Sequence, residues 1–329
     1  MPWLPKDKYI WDSWFAWKGG ELHAFYLQAN QADCQFNPEA RHNLASVGHA
    51  ILTRDGWQEN GTALRASNGD AWDNLAIWTG CVIAANDRYL MFYTARRRED
   101  PLLQTPAEWQ RPQQIGVAVS DDLSHWTRTE AAKIAPVIPN PGNWGNLDGV
   151  AWRDPYVMQG EDGRFYAFIC ARQNQAEGGG VIAYVTSPDL QQWNQPTLIK
   201  CLNEFYQMEV PQVFWRRSGA GKYCYVVFCA QEKDGTRWRR ESGRDCVTGT
   251  YYLQSRLLPL NFNQVPEFID PARLLVPNIY AGKLLKPETD EHPTLLGFQW
   301  ADEAGNFVGG ITDPIKTSFA ADGSMQLRI

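Results

Sequence analysis

Apolar and polar positions along this chain fall into short strand-like runs, each set off by a turn. Residues 89–94 (Tyr-Leu-Met-Phe-Tyr-Thr), 165–170 (Phe-Tyr-Ala-Phe-Ile-Cys) and 222–228 (Lys-Tyr-Cys-Tyr-Val-Val-Phe) are rich in β-branched and aromatic side chains. Each follows turn-formers: Asn86-Asp87, Glu161-Asp162-Gly163 and Gly219-Ala220-Gly221. Residues 23–27, after Gly19-Gly20, repeat the pattern near the start of the chain. No long stretch carries the 3.6-residue period of an amphipathic helix.

These runs are spaced by a repeat. Residues 118–126 (Ala-Val-Ser-Asp-Asp-Leu-Ser-His-Trp) resemble 185–193 (Val-Thr-Ser-Pro-Asp-Leu-Gln-Gln-Trp), with looser copies at 49–57 and 254–262. The closing aromatics Trp57, Trp126, Trp193 and Phe262 stand 69, 67 and 69 residues apart. A near-constant step implies one supersecondary unit repeated about an axis. About 68 residues suffice for a four-stranded antiparallel blade with its loops, and five such units need about 340 residues, against 329 present. The pattern predicts an all-β, five-bladed β-propeller over residues 1–329, a single domain with no C-terminal β-sandwich. In the weakly marked fifth blade, the expected strands are 295–300 and 307–311. Stretches 59–75, 101–113, 131–148 and 232–247 are expected to be loops on the propeller faces, where function concentrates.

Composition narrows the function. The net charge is −6 and the longest basic cluster is Arg96-Arg97-Arg98, read as a solvated strand end, so a nucleic-acid partner is not expected. No run of 18 apolar residues exists, so no membrane span is expected. The seven cysteines show no Cys-x-x-Cys spacing, and Cys81, Cys170, Cys224 and Cys229 lie in apolar runs as small hydrophobes. Together with the lack of an apolar leader at the N-terminus, this predicts a reduced, cytoplasmic setting. Neither a metal nor a cofactor is expected, since no acidic cluster has calcium-loop spacing. The 15 tryptophans suit sugar stacking and core packing alike. The oligomeric state is not encoded in any legible pattern.

Three acids stand where acids are costly. Asp12 lies in the aromatic run 9–15, Asp154 in 149–158 and Glu209 in 206–214, each in a different predicted blade. Taken singly, Asp12 also fits a solvated strand end, Asp154 an Asp-Pro turn with Arg153 as an ion-pair partner, and Glu209 an outward-facing position. Taken together, they fit a pair of carboxyl groups flanking a glycosidic bond plus a third that assists.

The segments around these acids resemble the five-bladed glycoside hydrolase clan of families 32 and 68, the invertases, fructanases and levansucrases. Trp11-Asp12-Ser13-Trp14 is similar to the nucleophile motif, Arg153-Asp154-Pro155 to that of the transition-state stabiliser, and Met208-Glu209-Val210-Pro211 to the acid/base motif. Trp78-Thr79-Gly80-Cys81 resembles the Trp-Ser-Gly-Ser stretch lining the sugar pocket, and Gly48-His49-Ala50 is also similar. Val210 replaces the usual Cys or Arg, and Thr79 and Cys81 replace serines. The resemblance implies a β-fructofuranosyl hydrolase acting by double displacement on a sucrose-like carbohydrate, with some fructosyl transfer. Asp12 would be the nucleophile, Asp154 the stabiliser and Glu209 the acid/base. Trp11 and Trp78 would wall the pocket, Thr79 would bond Asp12, and Arg153 and Gln207 would contact the sugar. Three other readings remain open from sequence. One is an inverting arabinofuranosidase or xylosidase with wider-spaced carboxyl groups; the others are a non-catalytic sugar-binding propeller and a protein scaffold.

Overall fold

The repeated Ser-x-Asp-Leu-x-x-Trp segment is a side-chain-built turn at the end of the third strand in blades 2 and 3. In one copy Ser120 Oγ accepts the Leu123 N–H at 2.9 Å, while Asp122 Oδ1 accepts the N–H groups of Ser124 and His125, both at 2.8 Å. Ser187 and Asp189 do the same for Leu190, Gln191 and Gln192 at 2.8, 2.9 and 2.9 Å. Leu123 and Leu190 are left-handed (φ 66° and 64°) and buried, so the turn presses an apolar side chain inward. The tryptophan that closes each turn then meets the preceding blade edge-on. Trp126 contacts Phe25 with ring centroids 5.5 Å apart, and Trp193 contacts Phe92 at 5.8 Å. A local turn signature thus sets blade-to-blade packing, which is why it repeats.

The computed structural model describes residues 2–98 and 111–328. They form five antiparallel sheets arranged as a five-bladed propeller. Blade 1 comprises Lys8–Lys18, Glu21–Asn30, Ser46–Thr53 and Gly56–Leu64, and blade 2 comprises Ala76–Ala85, Arg88–Arg96, Gln114–Ser120 and Thr127–Arg128. Blade 3 comprises Leu147–Gln159, Phe165–Gln173, Gly180–Ser187 and Thr197–Leu198. Blade 4 comprises Glu209–Ser218, Gly221–Ala230, Gly249–Gln254 and Arg273–Pro277, with the short Leu258–Pro259 pairing its second strand. Blade 5 comprises Ile279–Leu285, Thr294–Ala301, Ile315–Phe319 and Met325–Leu327, with Phe307–Gly309 on its second strand.

Apolar clusters fill the spaces between successive blades: one each between blades 2 and 3, 3 and 4, 4 and 5, and 5 and 1. The cluster between blades 1 and 2 reaches across the axis to Tyr280, Ala281 and Phe298. Burial of such faces is the main favourable term holding blades together. The ring is closed at the N-terminal segment. Trp3 and Ile311 exchange backbone hydrogen bonds of 2.7 and 2.8 Å, and the Gly310 N–H donates to the Ile10 carbonyl at 3.1 Å.

The structure departs from the expected loops in instructive ways. Residues 59–64 continue the fourth strand of blade 1, because Gly61 (φ 83°) lets a polar run bend without leaving the sheet. Short helices interrupt the other stretches at Glu130–Ile134 and Arg237–Glu241, capped by Thr129 and Thr236 side chains that accept N–H groups. Residues 101–110 of the expected 101–113 loop lie outside the described residues. In blade 5 the expected strands 295–300 and 307–311 are the second strand and its short partner. The inner strand, Ile279–Leu285, carries no repeat mark in the sequence. Among the described residues no helix is long and apolar enough to cross a membrane.

If inter-blade packing governs stability, Phe92→Ala, which empties a fully buried ring site between blades 2 and 3, should cost about 3–5 kcal/mol. Equilibrium denaturant unfolding of the variant beside the parent protein measures this loss.

Candidate active site

Every inner strand breaks register at the same height. The shift falls between Trp11 and Ser13, Trp78 and Gly80, Arg153 and Tyr156, Glu209 and Gln212, and Tyr280 and Lys283. Each is a β-bulge, with one residue more on the inner strand than on its partner, and a bulge re-aims the side chains beside it. Asp12, Asp154, Val210 and Ala281 are left-handed there, with φ of 33°, 58°, 53° and 50°. Aspartate tolerates that conformation, whereas for β-branched Val210 it is a strained outlier. In blade 2, Thr79 is the extra residue and Gly80 follows, where an added Cβ would lie 2.0 Å from the Phe92 carbonyl oxygen. Pro155 and Pro211 sit inside bulges, where the missing N–H costs no ladder bond.

The five bulges bring Trp11-Asp12, Trp78-Thr79, Arg153-Asp154, Glu209 and Tyr280 to the wall of one cavity of about 650 Å³. All eight residues singled out in the sequence line it: Trp11, Asp12, Trp78, Thr79, Arg153, Asp154, Gln207 and Glu209. Thr79 Oγ1 donates to Asp12 Oδ2 at 2.5 Å. Thr94 Oγ1 donates to the Thr79 carbonyl at 2.8 Å and accepts the Asp154 N–H at 2.8 Å, tying blade 2 to the bulge of blade 3. Asp154 Oδ2 in turn accepts the Val210 N–H at 3.0 Å.

Arg153 is almost fully buried and its donors are taken by protein. It gives hydrogen bonds to Gln113 Oε1 at 3.1 Å, and to Gln207 Oε1 and Glu209 Oε1 both at 2.8 Å. Tyr280 Oη donates to the other Glu209 oxygen, so the carboxyl plane is held from two sides. Trp78 Nε1 donates to the His42 carbonyl at 2.7 Å, and the His42 ring touches Trp11 and Trp78 edge-on at 5.9 and 6.1 Å. Arg96 backs Trp78 at 4.2 Å and Arg41 lies 5.3 Å from the Trp11 ring. The aromatic wall is therefore packed against cations that also line the cavity.

Burial shapes the charges. It pushes Asp12 up to about 6, opposed by the Thr79 hydrogen bond and assisted by the negative charge of Glu209. It pushes Asp154 up to about 7, opposed by the Arg153 guanidinium. Burial, then Arg41, lowers His42 to about 3, so its imidazole is neutral. Among the described residues no His, Cys, Asp or Glu cluster could hold a metal ion.

Residues 13–298 match the glycosyl hydrolases family 32 N-terminal domain. The chain belongs to glycosyl hydrolase family 32. The matched region is that family's N-terminal domain. Solved structures of similar fold include the sucrose-6-phosphate hydrolase of Lactobacillus gasseri, with 18% identity and a TM-score of 0.69, covering 98% of this chain and 62% of that one. The family 32 β-fructofuranosidase of Bombyx mori gives 17% and 0.64, covering 98% and 64%. Bacillus subtilis levansucrase gives 13% and 0.64, covering 98% and 86%. The chain thus spans just over three fifths of the first two relatives. No curated protein sequence matches it.

Several residues of this family 32 site escape sequence reasoning. Gln113, Asp148, Arg172, Tyr206, Tyr280 and Trp300 reach the cavity from separate segments. Arg172 pairs with Asp148 at 2.6 Å and lies 4.2 Å from the Tyr206 ring, a contact across the loops that no local pattern signals.

Because the folded-state value of Asp12 lies above its ordinary value, its ionisation disfavours the fold as pH rises from about 4 through 6. Asp12→Asn should therefore match the parent near pH 4 and exceed it by about 1–3 kcal/mol at pH 8. Thermal unfolding across that pH range checks the sign: a gap that widens toward acid would contradict it.

Proposed function

We propose that this family 32 propeller hydrolyses a β-fructofuranosyl bond in a sucrose-like sugar, by a double-displacement mechanism. The observation that carries this reading is the convergence of Asp12, Asp154 and Glu209, from three different blades, on one aromatic-walled cavity. Proteins of similar fold, a sucrose-6-phosphate hydrolase and a β-fructofuranosidase among them, support the substrate class.

In this reading Asp12, ionised and oriented by the Thr79 hydroxyl, attacks the anomeric carbon. A covalent glycosyl–enzyme forms as the leaving oxygen departs. Glu209 supplies the proton to that oxygen, then takes one from the incoming water, which attacks the same carbon and releases Asp12 as the carboxylate. A sugar hydroxyl in place of water gives transfer instead of hydrolysis. Asp154 accepts hydrogen bonds from sugar hydroxyls that strengthen as positive charge develops on the ring.

Trp11 and Trp78 offer flat faces to the sugar. Arg153, assigned with Gln207 to sugar contact from sequence, donates to Gln207 Oε1 and to Glu209 Oε1. Arg153 thereby aims the acid/base. A nucleophile must be ionised, so on the acid side the rate should rise through the Asp12 titration near pH 6.

The test is product release from sucrose, with raffinose and an aryl arabinofuranoside in parallel. Free fructose is expected from the first two, falling at least a thousandfold in Asp12→Ala while thermal unfolding shows the fold intact. Pentose release alone would replace this reading with the inverting one. An acid limb of kcat that stays fixed in Thr79→Val, instead of moving to higher pH, would remove Asp12 from the ionisation that governs the rate.

A further inference from the structure

The cavity rests on a buried cation that the mechanism above leaves without a task. Lys283 stands just beyond the bulge of blade 5 and is only 6% exposed. Its ammonium donates to two consecutive carbonyls of blade 4, Val210 at 3.0 Å and Pro211 at 2.7 Å. The Tyr156 ring lies 5.6 Å away. No carboxylate among the described residues pairs with it directly. A buried ammonium is costly unless its donors are satisfied and its charge is balanced. Here two donors go to backbone; burial lowers the ammonium to about 8, and the negative charges of Asp154 and Asp12 oppose that shift.

The two carbonyls belong to the most strained backbone of the site. Val210 is β-branched and left-handed, a conformation costing on the order of 1–3 kcal/mol that persists only where surroundings enforce it. Its N–H is held by Asp154 from blade 3 and its carbonyl by Lys283 from blade 5. Nearby, the Gln212 side chain both donates to the Leu284 carbonyl and accepts the Leu284 N–H, each at 2.8 Å, locking the two strands in register. Glu209 precedes Val210 directly, so the direction of its side chain depends on this clamped peptide.

We propose that Lys283 is a positioning residue for the reaction: its ammonium clamps the left-handed Val210 turn that aims Glu209 and whose N–H Asp154 holds. The inference rests on the carboxylate roles proposed above. The groups whose charge bears on the two aspartates are Glu209, Arg41 and Lys283 for Asp12, and Arg153, Asp12, Glu209 and Lys283 for Asp154, with Thr79 and the Val210 N–H as hydrogen-bond donors. The thiols of Cys81 and Cys229 also neighbour Lys283, and burial holds both protonated and neutral.

The experiment compares the parent with Lys283→Met and Lys283→Arg in two readouts. The first is a carboxyl titration of protein labelled with ¹³C-aspartate, assigned with Asp12→Asn and Asp154→Asn. It needs no substrate, so it tests Lys283 even if the fructoside reading fails. Lys283→Met should raise both aspartate midpoints by about one pH unit, and Lys283→Arg should restore them. The second readout is kinetic. Lys283→Met should lower kcat at least tenfold, move its acid limb upward and leave KM within about threefold. Unmoved midpoints in a folded Lys283→Met protein would overturn the proposal. If that variant does not fold, Lys283→Gln decides, since it keeps a donor but no charge: raised midpoints support the inference and unchanged ones defeat it.

Discussion

The rest of the active site depends on one backbone device, the bulge that interrupts all five inner strands at the same height. A regular strand sends alternate side chains to opposite faces, which in a propeller means toward one neighbouring blade or the other. The extra residue at each bulge breaks that alternation. At that point the chain can present side chains to the axial cavity, and the five positions supply Asp12, Thr79, Asp154, Val210 and Ala281 with their preceding residues. The scaffold is close to five-fold in its geometry, while the chemistry differs from blade to blade. Blades 1, 3 and 4 give carboxylates, blade 2 a hydroxyl, and blade 5 a phenol with a lysine behind it.

Hydrogen bonds between bulges convert this ring into a cooperative unit. Thr79 bonds Asp12, Thr94 links Thr79 to Asp154, Asp154 holds Val210, and Lys283 grips Val210 from the far side. Each link crosses from one blade to another. Displacing one blade by a fraction of an ångström would therefore be felt at every carboxylate, and networks of this kind are worth more than the sum of their pairs. The cost of burying three acids is met partly by Arg153 and Lys283. It is also expressed as the raised values of Asp12 and Asp154.

How much of this was legible depended on whether the cause was local. The blade count could be read because Ser120 and Asp122, or Ser187 and Asp189, build their turn within a few residues. Asp12, Asp154 and Glu209 stood out because carboxylates interrupt aromatic runs. Their convergence could only be proposed, since no pattern reveals that Trp11, Arg153 and Tyr280 occupy matching places in different blades. Tyr280 and Lys283 were invisible for a related reason. Their strand, Ile279–Leu285, lies in the blade without the repeat signature, and a lysine among leucines reads as solvated until Val210 and Pro211 are seen to receive it. For Arg153 the sequence shows a charge but not its partners, Gln113, Gln207 and Glu209.

The closure of the ring has a consequence for motion. Four of the five boundaries between blades are spanned by continuous chain, but the join between blades 5 and 1 is held by Trp3, Ile311, Gly310 and Ile10 without a covalent link. Asp12 stands on one side of that seam, and Tyr280 and Lys283 stand on the other. Thermal breathing of the N-terminal segment would thus part Asp12 from Tyr280 and Lys283. The cavity would then lose its geometry on warming before the ring unfolds, as a local melting of its clasp.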